Sequence, residues 1–291
     1  MHKPYRGRFA PSPTGDLHLG SLLSAVASYL QARKYQGQWL IRIEDIDPPR
    51  EVHGSAAGIL KDLKALGMQA DEDVGYQSHN TAAYQQALAS LLSSGKAFRC
   101  GCSRKQLKND PVYPGNCRKL QLDACAVRLK AATRQLTVID QLQKSREYAL
   151  AEDIGDFIIW RADDLPAYQL AVVVDDAAMG ITEVVRGCDL QGSTPRQLYL
   201  QECLGLPHPD YLHIPLLTDK SGRKLSKRDN DDPLNQLQPL AAIRLALRLL
   251  GQQPPPEISD LNKLWEWAIV HWQASNIPLQ FPTSSIRGLG C

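Results

Sequence analysis

The sequence lacks a long apolar run, a strong net charge and the cysteine density of a disulfide scaffold. No stretch stays apolar over the roughly twenty residues that a membrane-spanning helix needs. The start, Met1-His2-Lys3-Pro4-Tyr5-Arg6-Gly7, has no apolar core of the kind found in a secretory signal, so a cytoplasmic protein with no membrane contact is expected. The formal net charge is only +2. Composition therefore does not mark a nucleic-acid binder, and any basic surface must be local. Seven cysteines in 291 residues are too few and too unevenly spaced for a disulfide framework. They fit a reducing compartment with one metal site at most. There is no internal repeat and no low-complexity tract. What remains is an ordinary globular composition, 43% hydrophobic and 22% charged, in a chain long enough for about two domains.

The chain is organised around Arg8-Phe9-Ala10-Pro11-Ser12-Pro13-Thr14-Gly15-Asp16-Leu17-His18-Leu19-Gly20-Ser21. Tyr5 to Ala10 reads as a strand. Pro11, Pro13 and Gly15 shape a turn. From Ser21 the residues Leu22, Ala25, Val26, Tyr29 and Leu30 recur at helical spacing. His18, Gly20 and Ser21 thus sit at a helix N-terminus, where free N–H groups and the dipole favour a phosphate. A strand-to-helix turn with an incidental histidine would look the same.

Beyond the turn, Gln38 to Glu44 reads as a strand with Trp39, Ile41 and Ile43 alternating against Leu40, Arg42 and Glu44. A helix is expected over about 55–66. Strand, helix, strand, helix at this spacing predicts an α/β fold with a parallel sheet, whose ligands sit beyond the carboxyl ends of the strands. From about His79 the pattern changes. A helix bearing Tyr84, Leu88, Leu91 and Leu92 precedes a stretch rich in Cys and Pro, and 118–150 is weakly patterned. Asp156–Trp160, Leu170–Val174, Ile181–Val185 and His213–Leu217 read as strands, and Pro195–Leu204 as a helix. Two further helices are expected, at about Pro239–Leu250 and Ser259–Trp272. The expected divisions are 1–78 and 169–228 as two halves of one catalytic domain, 79–168 as an insertion, and 229–291 as a short helical region.

Two more clusters carry chemistry. Lys220, Arg223, Lys224, Lys227 and Arg228 crowd a glycine-bearing loop after a strand. Such a loop can fold over a triphosphate and neutralise a departing pyrophosphate, although a solvated basic loop is the commoner meaning of a charge run. Cys100, Cys102 and Cys117 lie within eighteen residues, which in a reducing cell favours Zn²⁺ over free thiols. Cys125 and His79 are generic choices for a fourth ligand.

Together, His18-Leu19-Gly20-Ser21 and Lys224-Leu225-Ser226-Lys227-Arg228 resemble the HIGH and KMSKS signatures of class I aminoacyl-tRNA synthetases. The wording of Arg8–Gly15, Arg42-Ile43-Glu44-Asp45-Ile46-Asp47, Val172–Asp176 and Glu183-Val184-Val185-Arg186-Gly187 is similar to the glutamyl branch. The resemblance implies a Rossmann-type sheet split by a zinc-bearing insertion. It also implies a glutamate pocket made by Arg8, Phe9, Ala10, Pro11, Ser12, Glu44, Tyr168 and Arg186. ATP would be held by His18, Gly20, Ser21, Lys224, Leu225, Ser226, Lys227 and Arg228, with Mg²⁺, and His18 and Lys227 would be catalytic. Tyr113 would complete a structural Zn²⁺ site with Cys100, Cys102 and Cys117. The loop departs from its pattern where Leu225 replaces Met and Arg228 replaces Ser.

Only the segment 229–291 follows that loop, where ordinary glutamyl-tRNA synthetases carry a large helical anticodon-binding region. This resembles the truncated glutamyl-Q tRNA(Asp) synthetase family, which implies glutamate transfer to queuosine in tRNA(Asp) by a monomer. Queuosine's vicinal hydroxyls are similar to the ribose cis-diol that ordinary synthetases acylate. Arg99, Arg104, Lys105, Lys108, Arg118 and Lys119 would suit phosphate contacts. Two other readings share these motifs: a synthetase body working with a separate anticodon-binding subunit, and a non-catalytic tRNA-binding paralog.

Overall fold

The computed structural model describes residues 4–103, 105–107, 112–123, 125–217 and 237–281. The basic loop Lys224, Leu225, Ser226, Lys227 and Arg228 lies outside the described residues, as do Arg104 and Lys108.

The first strand, β1 (Arg6–Phe9), leads through the proline turn into α1 (Leu19–Lys34), then β2 (Gln38–Ile43), α2 (Ser55–Ala65) and β3 (Gly75–Tyr76). These three strands pair in parallel in the order β1-β2-β3, with Arg8 opposite Leu40 and Arg42 opposite Gly75. Much later β9 (Glu183–Gly187) and β10 (Asp210–Ile214) pair in parallel, with α5 (Thr194–Leu204) between them in the chain. The two sheets meet at β1, where Thr182 N–H donates to the Arg6 carbonyl at 2.9 Å. The strands therefore run β3-β2-β1-β9-β10, and the order reverses between β1 and β9. A crevice opens at the carboxyl end of such a switch point, which is where Arg8 and Arg186 lie.

Helix α1 is buried on nearly every side, from Leu19 to Ala32. Its apolar spacing was legible, but its polar residues are covered as well. Ser28 accepts from the Trp39 indole at 2.9 Å, and Gln31 accepts from the Trp272 indole at 2.7 Å. In strand β2 the residues that alternate in the sequence are buried alike. Trp39 through Ile43 are all buried, Arg42 included, because both faces of a parallel strand are covered.

Between β3 and β9 the chain forms α3 (Thr81–Ser93), β4 (Ala97–Cys100), β5 (Ala126–Leu129), β6 (Gln135–Val138), β7 (Arg146–Ala149), β8 (Phe157–Trp160) and α4 (Tyr168–Ala178). Strands β4-β5-β8 make an antiparallel sheet, and β6-β7 a separate antiparallel pair. The weakly patterned stretch 118–150 thus holds three strands of four residues each.

The expected strand at Leu170–Val174 is instead part of α4. Five apolar residues in a row suit a buried strand or a buried helix equally. Here Leu170, Ala171, Val172 and Val173 are all buried, and so are Asp175 and Asp176, so no polar face betrays the helix. The strand expected at His213–Leu217 lies earlier, at Asp210–Ile214, because it takes its register from β9.

The final helices, α6 (Pro239–Leu249) and α7 (Leu261–His271), join the same core as α1. The Trp265 ring meets Tyr29 edge-on at 4.9 Å, and its indole N–H donates to the Leu66 carbonyl at 2.9 Å.

Candidate active site and metal site

The proline turn has one backbone hydrogen bond of its own, Thr14 N–H to the Ser12 carbonyl at 2.8 Å, and is otherwise held by its neighbours. Glu44 N–H donates to the Pro11 carbonyl and Val52 N–H to that of Pro13, both at 2.9 Å. Ser55, at the start of α2, donates to the Gly15 carbonyl at 2.7 Å and accepts from its N–H at 3.0 Å. Gly15 has φ 128°, a conformation that favours glycine. His18 is the N-cap of α1, accepting from Ser21 N–H at 3.2 Å while its Nε2 lies 2.9 Å from Ser21 Oγ. A Cβ on Gly20 would stand 3.1 Å from His18 Cε1, so the glycine gives the imidazole its place. His18, Gly20 and Ser21 are thus together at one helix start.

The second group forms at the carboxyl ends of β1, β2 and β9. Arg8 is buried and grips Asp176 through Nε at 3.2 Å and Nη2 at 3.4 Å. Arg42 holds the same carboxylate at 2.6 Å and Glu44 at 3.2 Å. Asp175 lies 3.7 Å from Arg42 Nε and accepts from Gln77, Tyr84 and Asn80 at 2.7, 2.7 and 2.8 Å. Burial works to raise the Asp176 pKa, but Arg8 and Arg42 overcome it and hold the carboxyl below its usual range. At Glu44 and Asp175 burial wins over the neighbouring arginines, and both are pushed up.

Arg186, on β9, has a different setting. It is 5% exposed. Its Nε donates to His213 Nε2 at 3.1 Å, Nη1 to the Tyr168 hydroxyl at 3.3 Å, and Nη2 to Thr194 Oγ1 at 3.1 Å and the Leu190 carbonyl at 3.5 Å. Among the described residues every hydrogen-bond partner of this guanidinium is uncharged. Tyr168, raised by burial, feels the charges of Arg186, Glu44 and Arg8, so these four groups converge. A buried guanidinium without a carboxylate is costly, and a carboxylate ligand would remove that cost.

The three clustered thiols also come together. The sulfurs of Cys100, Cys102 and Cys117 lie within 4.8 Å of one another. The Tyr113 hydroxyl is 3.4 Å from Cys100 Sγ and 3.7 Å from Cys102 Sγ, and Cys102 and Cys117 are 3.5 Å apart. A tetrahedral zinc–thiolate site has ligand separations of about 3.8 Å, so this donor set fits a metal ion. Hydrogen bonding with Tyr113 lowers the Cys117 thiol to about 7, while burial raises Cys102. Of the generic alternatives, Cys125 is not part of this cluster, its sulfur lying beside Gly101 and bonding to the Asp123 carbonyl, and His79 packs on Tyr76.

Residues 5–112 and 116–253 match the family of class I tRNA synthetases (E and Q), catalytic domain. A glutamyl-Q tRNA(Asp) synthetase from Chromobacterium violaceum is 47% identical over 293 residues, covering 96% of this chain and 98% of that protein. One from Pseudomonas aeruginosa is 48% identical over 283 residues, covering 96% and 97%. The chain belongs to the glutamyl-Q tRNA(Asp) synthetase family of class I synthetases. It is a ligase-type enzyme. A glutamate–tRNA synthetase from Elizabethkingia anophelis shares the fold, with a TM-score of 0.82 at 24% identity over 99% of this chain and 70% of that one. No helix among the described residues is long and apolar enough to cross a membrane.

The structure brings the motif residues Arg8, Glu44, Tyr168 and Arg186 together, and behind them stand side chains to which the sequence assigned no role. Arg42, Asp175 and Asp176 belong to the motif segments Arg42–Asp47 and Val172–Asp176, where the sequence gives them no role. Asp140 and His213 lay in no motif at all. The signal was present for Asp175-Asp176, because two acids straight after an apolar run need buried cations. Of the basic residues expected to meet phosphate, Arg118 is bound twice to Asp156 at 2.6 Å. Lys105 and Lys119 are exposed, and Arg99 is half-buried on β4.

Proposed function

We propose that this synthetase activates L-glutamate with ATP and esterifies it to queuosine at the wobble position of tRNA(Asp). The observation that carries the first half is Arg186, buried, with neutral hydrogen-bond partners among the described residues, and gathered with Glu44 around Tyr168. Glutamate has two carboxylates and one ammonium. Arg186 would take one carboxylate through its planar fork, and Glu44 would take the ammonium. Arg8, Ser12 and the backbone of Phe9, Ala10 and Pro11 would line the rest, with Tyr168 donating or accepting at the side.

In the first step the α-carboxylate oxygen attacks the α-phosphorus of ATP, and the bond to pyrophosphate breaks. His18 would contact phosphate from the N-cap of α1, beside Gly20 and Ser21. The loop of Lys224, Leu225, Ser226, Lys227 and Arg228 would close over the triphosphate, with Lys227 countering the charge that develops on pyrophosphate. Mg²⁺ bound with ATP would supply further neutralisation of phosphate charge. In the second step a hydroxyl of the queuosine cyclopentenediol attacks the mixed anhydride, an ester forms and AMP leaves. The names of the relatives support this acceptor, and so does its chemistry, since the diol is similar to a ribose cis-diol.

Cys100, Cys102, Tyr113 and Cys117 would hold Zn²⁺. Four protein ligands leave no open position, so the ion would supply structure rather than catalysis. In this reading 1–78 and 169–228 are the catalytic body, 79–168 the zinc-bearing insertion, and 229–291 a helical region.

The test supplies tRNA(Asp) with and without queuosine and follows labelled glutamate. Labelling of the queuosine form alone is expected, and it should persist on tRNA lacking its terminal adenosine. Equal labelling of both forms, or loss of labelling with the terminal adenosine, would favour an ordinary glutamyl-tRNA synthetase body. Absence of glutamate-dependent pyrophosphate exchange under all conditions would favour a binding paralog.

A further inference from the structure

His213 is fully buried on β10 and stands opposite Arg186 of β9 in the parallel register. Its two ring nitrogens have different partners. Nε2 receives the Nε–H of Arg186 at 3.1 Å and lies 3.2 Å from the Thr194 hydroxyl, which can turn its proton to it, and Nδ1 lies 2.5 Å from Asp140 Oδ2. A guanidinium can only donate, so Nε2 must offer its lone pair. The proton of the neutral ring then sits on Nδ1 and goes to Asp140. Burial keeps His213 neutral, with Arg186 acting in the same sense against Asp140.

Asp140 is itself fixed. Its Oδ1 accepts from the N–H groups of Gln143 at 2.7 Å and Leu142 at 3.0 Å. The segment around it is stitched along β10. Gln141 N–H donates to the Tyr211 carbonyl, and the Gln143 side chain to the His213 carbonyl, both at 2.9 Å. Asp140 lies between β6 and β7, strands that belong to neither parallel sheet. The chain of contacts thus runs from that hairpin, through β10, to the guanidinium beside Tyr168.

We propose that Asp140 and His213 are positioning residues for glutamate recognition: the carboxylate sets the imidazole tautomer, and the imidazole aims Arg186 at the substrate carboxylate. This rests on the reading of Arg186 as a carboxylate ligand. Remove the acceptor at Nε2 and the Nε edge of the guanidinium loses its anchor, so only Tyr168, Thr194 and the Leu190 carbonyl are left to orient its plane.

Asp140→Asn is the sharpest variant. Its carbonyl oxygen must stay on the Leu142 and Gln143 N–H groups, which turns the NH₂ toward His213. The imidazole then accepts at Nδ1 and carries its proton on Nε2, against the Arg186 Nε–H and toward the Thr194 hydroxyl instead. Labelled L-glutamate in equilibrium dialysis should bind this variant roughly ten- to a hundredfold more weakly, with ATP binding unchanged. His213→Leu should behave alike. His213→Gln, whose amide oxygen reaches the position of Nε2, should recover most of the affinity. The ¹⁵N spectrum of histidine-labelled wild-type protein should show the His213 proton on Nδ1, and Asp140→Asn should move it to Nε2.

Arg186→Ala separates the two ideas. If Arg186→Ala loses glutamate while Asp140→Asn and His213→Leu bind as wild type, the positioning role is wrong and the pocket stands. If Arg186→Ala binds glutamate normally, the pocket reading falls and the positioning role falls with it. A wild-type proton found on Nε2 overturns the proposal even where the Asn variant does not fold.

Discussion

The guanidinium of Arg128 lies over the ring of Tyr113, 4.1 Å from its centre, and donates from Nε to Cys100 Sγ at 3.3 Å. Its Nη1 donates to the Asp156 carbonyl at 2.9 Å. Three thiolates and a phenolate around a divalent ion would leave a net negative site. Arg128 supplies a fixed cation against two of those four donors. Outer contacts of this kind are commonly worth ten- to a hundredfold in metal affinity. Arg128→Met should therefore release zinc to a colorimetric chelator about ten times faster or more, with Arg128→Lys between the two. Equal release rates would show that the cation does not stabilise the site.

Asp176 is the carboxylate shared by Arg8 and Arg42. Replacing it by Asn keeps the shape and removes the charge that balances two buried guanidinium groups. Breaking a buried pair in this way costs about 3–5 kcal/mol. Urea unfolding of Asp176→Asn should show a loss of that order. A loss under about 1 kcal/mol would mean that Glu44 and Asp175 already balance the arginines.

Gly20→Ala should separate activity from stability. The added methyl would stand 3.1 Å from the His18 ring and 3.2 Å from its Nδ1, so the imidazole has to move. Alanine is a better helix former than glycine, so thermal stability should hold or rise slightly. Glutamate-dependent pyrophosphate exchange should fall at least tenfold. An unchanged exchange rate would remove His18 from contact with ATP.

His213 also ties stability to pH. A histidine is near 6.5 when unfolded, and burial lowers its folded value. The unfolded chain therefore binds this proton first. Stability from this group is complete above about pH 6.5 and is lost as pH falls from there toward the folded value. The groups that face the ring are Asp140, Arg186, Arg8 and, on its own strand, Tyr211. Buried Glu44, Asp175 and Glu183, all raised by burial, act in the opposite sense at lower pH. The comparison with His213→Gln isolates the histidine: the variant should lose less stability than wild type between pH 7 and 5. Parallel curves would contradict the neutral imidazole.

Much of the architecture could be read from spacing. The strand, turn and helix at 6–34 announce themselves because Pro11, Pro13 and Gly15 interrupt two clear periodicities. The final helices are equally plain, with Pro239 and Gly251 near their limits. Legibility fails where burial is complete. Helix α4 hides its period because Asp175 and Asp176 are buried against arginines rather than turned to water. Strand β2 hides its two-sided cover because Arg42 passes for a solvent-facing residue. The site divides the same way. Arg8, Glu44 and Arg186 sit in quotable motifs, whereas Asp140 meets His213 only because a segment of the β6-β7 hairpin lies along β10. That contact spans 73 positions in the chain, and no local pattern encodes it.

The grip of α6 and α7 on α1 has a consequence for synthesis. The ribosome releases β1, α1 and β2 before α6 and α7, and these carry Trp39, Tyr29 and a helix with almost no face suited to water. Their cover, Trp265, Trp272 and the apolar side of α6, emerges some two hundred residues later. Until then α1 must be shielded by chaperones or by transient contacts within the nascent chain. The turn that presents His18 is made well before α7, yet the helix it caps is sealed only when the residues around Trp272 arrive.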